Sequence, residues 1–352
     1  MSKSGFVSIL GQPNVGKSTL LNRLVGAKLA AVSKKPQTTR QVIRGILTER
    51  RGQVVFLDTP GLHRPKNYLG KFMIREATKT FYEADLFYWM VEPVPPRDEN
   101  FEFLRELKRH CEEFHQEDPS SVIASPEGAK QSTSPEIASA SPLNPTDSRT
   151  EQSRNRPGFG AASPGTPPRN DKKIIFCVIN KTDSISKPDL LPIIDRYQKE
   201  FPFTEIIPIS ALTGDQVGHL LEETFKYLTE HEPYFPLDIT SDQSERFLAS
   251  EMIREKIFHF TSREIPYSTT VQIDEFKEEE SIIRIEAVIF TEKDSQKGIL
   301  IGAKGQKMKE IGQAAREDLE RFFGKKVFLK LWVKALKNWK KDEQYLKRLG
   351  LQ

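Results

Sequence analysis

Residues 11–18 read Gly-Gln-Pro-Asn-Val-Gly-Lys-Ser, a match to the pattern Gly-x-x-x-x-Gly-Lys-Ser/Thr. That pattern works in one local setting. A strand must end, the backbone must turn so that its N–H groups converge, and a helix must begin. The flanks meet the demand: residues 6–10 are an apolar strand run, and residues 19–25 are a helical run closed by Gly26. The glycines let backbone N–H groups face phosphate oxygens, while Lys17 reaches the β- and γ-phosphates and the Ser18 hydroxyl suits Mg2+. Gly11, Gln12, Pro13, Asn14, Val15, Gly16, Lys17, Ser18 and Thr19 are therefore candidate nucleotide-binding positions.

The pattern around the loop alternates. Strand-like runs at 41–49, 53–58, 86–91, 174–179 and 205–209 interleave with helical runs at 66–83, 100–115, 189–200 and 216–230. Such alternation predicts an α/β domain, a mostly parallel sheet with helices on both faces. Residues 116–170 interrupt it. Ser, Pro, Gly and Thr fill 27 of those 55 positions, too little apolar surface to offset the entropy of ordering, so a disordered insertion is expected. It enters at the amino end of a strand. Ligands of open α/β sheets sit at the carboxyl ends, so the insertion should hang away from the nucleotide. Cys111 and Cys177 cannot form a disulfide framework, which fits a reduced, cytosolic setting. The longest apolar runs are strand-length, and the opening MSKSGFVSIL lacks the apolar core of a signal peptide.

Further loops fall at predicted strand ends. Asp58-Thr59-Pro60-Gly61 offers a carboxylate for the Mg2+ shell and a Gly61 amide that can sense a γ-phosphate, with Leu62 next. Asn180-Lys181-Thr182-Asp183 follows the run 174–179. The Asp183 carboxylate can accept the ring N–H and the exocyclic amine of guanine, and adenine presents an acceptor in place of that ring N–H. The set therefore selects GTP over ATP, with Lys181 along the base and a backbone N–H from Ser210–Ala211 for the guanine carbonyl. Four such loops in this order are specific.

The net charge of +4 conceals an uneven distribution: residues 237–292 carry −7 and residues 293–352 carry +9. A basic terminal segment is the footprint of an anionic partner. Residues 231–243, beginning His-Glu-Pro-Tyr-Phe-Pro, read as a linker after a first domain at 1–230. Residues 244–352 then follow the order α-β-β-α-GxxG-α-β, that of an α+β KH (type II) domain. The Gly302-Ala303-Lys304-Gly305 turn suits a nucleic-acid backbone, because glycines allow close approach and Lys304, Lys307 and Lys309 supply charge. Phe328, Trp332 and Trp339 could stack on bases, but strand alternation favours core packing for Phe328 and Trp332.

Taken together, GQPNVGKSTLLN, PQTTR, DTPGLH, NKTD, SAL, IGAKGQKMKEIG and LWVK resemble the Era family of bacterial GTPases, over about the whole chain except 116–170. The resemblance implies binding and hydrolysis of GTP to GDP with Mg2+, and binding of the 3′ end of 16S rRNA. It also implies assistance to 30S subunit assembly by a monomeric, cytoplasmic protein with a peripheral inner-membrane fraction. By position, Thr38 and Thr39 belong to the first switch, and Thr39 is favoured over Thr38 for Mg2+ beside Ser18 and Asp58. Lys17, Thr39, Asp58 and Gly61 are the expected catalytic group. Asn14 resembles an asparagine that helps bind K+ in related GTPases. Leu62 cannot orient a water molecule, so slow basal turnover is expected; His63 belongs to the moving switch rather than to catalysis. The competing expectation is a GTP-responsive RNA scaffold with negligible hydrolysis.

Overall fold

The computed structural model describes residues 2–33, 35–62, 67–96, 101, 104, 105 and 174–351. The expected insertion at 116–170, most of the helical run at 100–115, and His63 lie outside the described residues.

The first sheet has six strands in the order β2-β3-β1-β4-β5-β6. These are β1 Lys3–Gly11, β2 Ile43–Glu49, β3 Gly52–Asp58, β4 Leu86–Val91, β5 Ile174–Ile179 and β6 Glu205–Pro208. All neighbours run parallel except β2 with β3. Helices α1 Lys17–Val25, α2 Tyr68–Glu83, α3 Lys187–Glu200 and α4 Val217–Tyr227 accompany it. A parallel sheet covered on both faces needs strands apolar on both sides, which is why β4 (LFYWMV) and β5 (IIFCVI) show no alternation. Residues expected as a linker pack along the sheet edge instead. The Ile46 N–H donates to the Thr240 carbonyl (2.8 Å), and Phe235 and Ile239 cover Ile46, Val55 and Leu57.

The second sheet, β7-β8-β9, joins β7 Thr269–Glu278 and β8 Ile282–Thr291 antiparallel and β8 with β9 Lys326–Ala335 parallel. Helices α5 Glu245–Phe260, α6 Ile265–Ser268, α7 Asp294–Ile301 and α8 Gln306–Phe323 belong with it. Ile253, Ile257, Ile285, Ile289, Ile311 and Leu319 form its core. The fold class read from the sequence is therefore present in both parts. The aromatic assignment needs correction. Val327, Leu329, Leu331 and Val333 occupy the core side of β9, so the period of two turns Phe328 and Trp332 outward, 46% and 51% exposed. Trp339 is the buried one, its indole N–H donating to the Ser268 carbonyl at 3.2 Å. The sequence pattern also missed a C-terminal helix, α9 Glu343–Arg348, whose Leu346 packs with Trp339 and Leu351 against Leu69, Phe72 and Met73 of α2.

Helix α5 is buried nearly all round, because it faces its own sheet on one side and the nucleotide-binding part on the other. Its charged residues are paired accordingly. Glu255 bonds Lys28 (2.7 Å), Lys256 (3.1 Å) and the Val32 N–H (3.0 Å), and Asp318 of α8 pairs with the same two lysines. Burial alone would raise the Asp318 pKa, but the hydrogen bonds from Lys256 and Lys28 hold it down at about 2. Asp318→Asn is expected to lower stability at pH 7 by about 1–2 kcal/mol, less than a fully buried break because Lys28 is 37% exposed. A carboxylate depressed in the folded state stabilises above its unfolded pKa, near the ordinary 3.8, and loses that contribution as pH falls toward 2. The difference in melting temperature between wild type and variant should therefore shrink below about pH 4; a gap independent of pH would remove this ion network from the account.

Candidate nucleotide and RNA sites

The loop after β1 is held by conformations that only certain residues adopt. Gly11, Asn14 and Gly16 have φ of 145°, 69° and 102°. A Cβ at Gly16 would lie 2.2 Å from the Asn180 amide, and one at Gly11 would lie 2.4 Å from the Met90 carbonyl. Asn180 is a brace: its amide donates to the Val15 carbonyl (2.7 Å), and its Oδ1 accepts the Ala211 N–H (2.8 Å). Two of the expected binding loops are thus tied to each other by one buried side chain. The Lys17 ammonium donates to the carbonyls of Gly11 (3.1 Å) and Gln12 (2.9 Å) at the loop's centre. Burial lowers its pKa to about 8, against the pull of Asp58.

Beside it stand the expected metal groups. The Ser18 hydroxyl donates to Asp58 Oδ2 at 2.7 Å and lies 2.8 Å from the Thr39 hydroxyl, which itself reaches Asp58 Oδ2 at 3.3 Å. Asp58 Oδ1 is buried with no hydrogen-bond partner, and burial raises the carboxyl pKa to about 6 despite Lys17. A buried carboxylate with an idle oxygen beside two hydroxyls is an oxygen donor set suited to Mg2+. Thr38 turns the other way, donating to the Lys35 carbonyl at 2.9 Å. Thr59 is spent on the Ile9 carbonyl (2.7 Å), which anchors the Asp58-Thr59-Pro60-Gly61 turn. Gly61 packs so close to Pro13 that a Cβ would meet its Cα at 2.8 Å. The Leu62 N–H donates to the Gly11 carbonyl (3.2 Å), and its side chain is buried.

At the base end, Ser210 Oγ donates to Asp183 Oδ1 (2.6 Å), fixing one carboxylate oxygen. Lys181, in a left-handed conformation, pairs with Glu92 at the end of β4. The Ser210 N–H is taken by the Asp215 carbonyl (3.0 Å) and the Ala211 N–H by Asn180. The backbone donor expected there for a guanine carbonyl is thus shared rather than free. One groove of about 1190 Å3 runs past Pro13, Asn14, Lys17, Ser18, Thr39 and Gly61 to Lys181 and Asp183. Glu92, Lys28, Glu255 and His259 also line it and were not anticipated. They come from a strand end, a loop and a distant helix with no motif of their own.

The turn between α7 and α8 has the geometry its glycines permit. Gly302 and Gly305 have φ of 75° and 78°, and Lys304 has 51°. Ala303, Lys304 and Lys309 are exposed and Lys307 is half-buried. Lys304, Lys307 and Lys309 make no ion pair with any described residue. The lysines farther along are less free. Lys325, Lys330 and Lys340 pair with Glu278, Glu286 and Glu292, so the acidic and basic segments partly neutralise each other.

Known proteins share these features. Residues 6–125 match a family described as 50S ribosome-binding GTPase, and residues 264–340 match the KH domain. The chain is 43% identical to the GTPase Era of Syntrophus aciditrophicus (strain SB) over 352 residues, 99% of this chain and 95% of that one. It is 39% identical to the GTPase Era of Staphylococcus haemolyticus (strain JCSC1435) over 349 residues, 99% and 97%. Among solved structures, a single-residue variant of Aquifex aeolicus Era bound to GDP·AlF4− is 33% identical, with a TM-score of 0.79 and 99% of each chain covered. Era in complex with MgGDPNP and nucleotides 1506–1542 of 16S ribosomal RNA is 33% identical, with a TM-score of 0.80, covering 100% of this chain and 99% of that one.

Proposed function

Because this chain belongs to the Era family of GTPases, we propose that it is a GTP-driven factor that grips the 3′ end of 16S rRNA and assists assembly of the 30S ribosomal subunit. It binds GTP and GDP with Mg2+, hydrolyses GTP, and binds ribosomal RNA. The observation that carries the proposal is the joint presence of a guanine-type nucleotide groove and a GxxG turn whose Lys304, like Lys307 and Lys309 of α8, makes no ion pair with a described residue. The small subunit is favoured over the large one because the RNA in the solved relative is a 16S fragment.

In this reading the loop Gly11–Gly16 wraps the phosphates, and Lys17 exchanges its two carbonyl partners for the β- and γ-phosphates. Ser18, Thr39 and Asp58 hold Mg2+, which when bound neutralises phosphate charge. Thr39 rather than Thr38 takes that role because only its hydroxyl reaches Ser18 and Asp58. The Gly61 amide reports the γ-phosphate, and Thr19 lines the same groove. Asp183, steadied by Ser210, reads guanine while Asn180 and Thr182 hold its loop in place. The buried Leu62 has no group to orient water, so turnover without a stimulus is slow. The GDP·AlF4− complex of the Aquifex relative, in which the fluoride stands for a transferring phosphoryl group, favours a hydrolysing enzyme over a passive scaffold.

Asn14, left-handed and lining the groove, is the proposed K+ contact. Single-turnover hydrolysis in K+ should exceed that in Na+ at equal ionic strength, and equal rates would discard the ion. The proposed protein is a cytoplasmic monomer with a peripheral inner-membrane fraction; no helix of the described residues is long and apolar enough to cross a membrane. Crosslinking the GTP-bound protein to cellular RNA and sequencing the fragments tests the central reading. Recovery of the 16S 3′ end is expected, and mostly tRNA or mRNA would overturn it.

A further inference from the structure

A second, smaller cavity of about 180 Å3 lies where the first switch meets α5 and β7. Its walls include Arg40, Arg246, Ser250, Glu251, Arg254 and Gln272, and it shares no lining residue with the nucleotide groove. Three guanidinium groups therefore face one carboxylate. Glu251 is committed to Arg254, accepting from its Nε at 2.8 Å and from Nη2. Arg254 is 2% exposed, and its Nη1 is buried with no hydrogen-bond partner. Arg40 is 5% exposed and donates only to neutral carbonyls, those of Thr269 (2.8 Å), Pro266 (3.4 Å) and Tyr267 (3.5 Å). Burial, and then the nearby Arg254, both disfavour its charge. Buried charges are ordinarily paired; among the described residues these two buried guanidiniums share one carboxylate, so one positive charge has no anionic partner there, and Arg40 lies 5.5 Å over the Trp339 ring.

We propose that this cavity is a binding site for a small oxyanion of the phosphate class, held between Arg40, Arg246 and Arg254. Guanidinium N–H groups match phosphate oxygens in number and direction. The Ser250 hydroxyl and the Gln272 amide line the same space and can complete the shell. The volume is below the ~300 Å3 at which pockets hold drug-sized ligands, so a phosphate group fits and a whole nucleotide does not. Arg40 follows Thr39 directly, so an anion that holds Arg40 also holds the first switch in the arrangement that brings Thr39 to Ser18 and Asp58. The occupant is either free inorganic phosphate or a phosphodiester of bound RNA.

The test uses the full chain saturated with Mg-GDPNP, so that the β- and γ-phosphate positions are already filled. Inorganic phosphate is titrated calorimetrically against chloride at constant ionic strength. Saturable binding is expected, weakened on the order of tenfold by Arg254→Gln and by Arg246→Gln. Arg246 is exposed, so its variant should fold and keep wild-type Mg-GDPNP affinity even if Arg254→Gln does not. Absence of saturable phosphate binding in the wild type, or unchanged binding in Arg246→Gln, overturns the site. Repeating the titration after adding the 16S 3′ fragment separates the sources. Loss of the phosphate signal assigns an RNA phosphodiester, and its persistence assigns the free ion. The titration without RNA does not depend on which cellular RNA the protein serves, so failure of the proposed function and failure of this site remain distinguishable.

Discussion

Replacing Asp183 with asparagine is expected to lower GTP affinity by about two to four orders of magnitude, from the loss of two charge-assisted hydrogen bonds at about 1.5–3 kcal/mol each. The carboxylate stands at the end of the groove with Oδ1 anchored by Ser210. Ionised, it is acceptor-only, and guanine offers two donors on that edge. An asparagine presents one acceptor and an NH2 group, so one guanine donor meets another donor. Xanthine carries a carbonyl where guanine has its amine, and that carbonyl can accept from the new NH2. Affinity for XTP should therefore rise as affinity for GTP falls. The fold should tolerate the change, since Asp183 is exposed and Ser210 can donate equally to an amide carbonyl. Competition of GTP and XTP for the same protein measures both effects. A variant that keeps GTP affinity within about threefold would show that Asp183 does not read the base.

The selectivity of that site was legible in the sequence because each of its loops must sit at a strand's carboxyl end and carries its own residue pattern. β3 and β1 set two of the loops side by side, β5 and β6 set the other two, and β4 lies between the pairs. Gly11 and Gly16 were readable for the same reason: their positive φ and the nearness of Met90 and Asn180 leave no room for a Cβ. Asn180 was readable as part of a motif but not in its role, because bracing Val15 against Ala211 is a long-range contact with no local signal. The same limit hid Lys28, Glu255 and Asp318. Each looks like an ordinary surface charge until α5 is found buried on two sides, and a helix with two buried faces shows no amphipathic stripe. Phe328 and Trp332 were misplaced for a different reason. Alternation separates two faces of β9 without saying which is covered, and Val327, Leu329, Leu331 and Val333 take the core side, leaving Phe328 and Trp332 on the other. Their company there is basic: Arg284 lies 5.5 Å from the Phe328 ring and Lys330 lies 5.0 Å from that of Trp332. Basic residue counts alone could not tell which lysines remain available, since Lys325, Lys330 and Lys340 are taken by glutamates from the acidic segment.

Lys304, which makes no ion pair with a described residue, carries the second large prediction. Changing Ala303 and Lys304 together to aspartate should weaken binding of the 16S 3′ fragment by about a hundredfold or more at moderate salt, since one phosphate partner is lost and two repulsive charges face the backbone. Both positions are exposed, so no core contact is disturbed. The backbone at Lys304 is left-handed, with φ of 51°, and aspartate is among the few residues that adopt it readily. The glycines on either side stay in place, so the turn keeps its shape. The effect should also appear in the salt dependence. Each phosphate contact removed lowers the slope of log affinity against log salt by about 0.7 for a single strand. Basal GTP hydrolysis should be unchanged, because no residue of the turn lines the nucleotide groove. Any stimulation of hydrolysis by the fragment should shift to proportionally higher RNA concentration, as expected if RNA and nucleotide sites are linked through binding. A slope and affinity equal to wild type, with the fold verified by circular dichroism, would remove the turn from the RNA interface and shift attention to the basic aromatic face of β9.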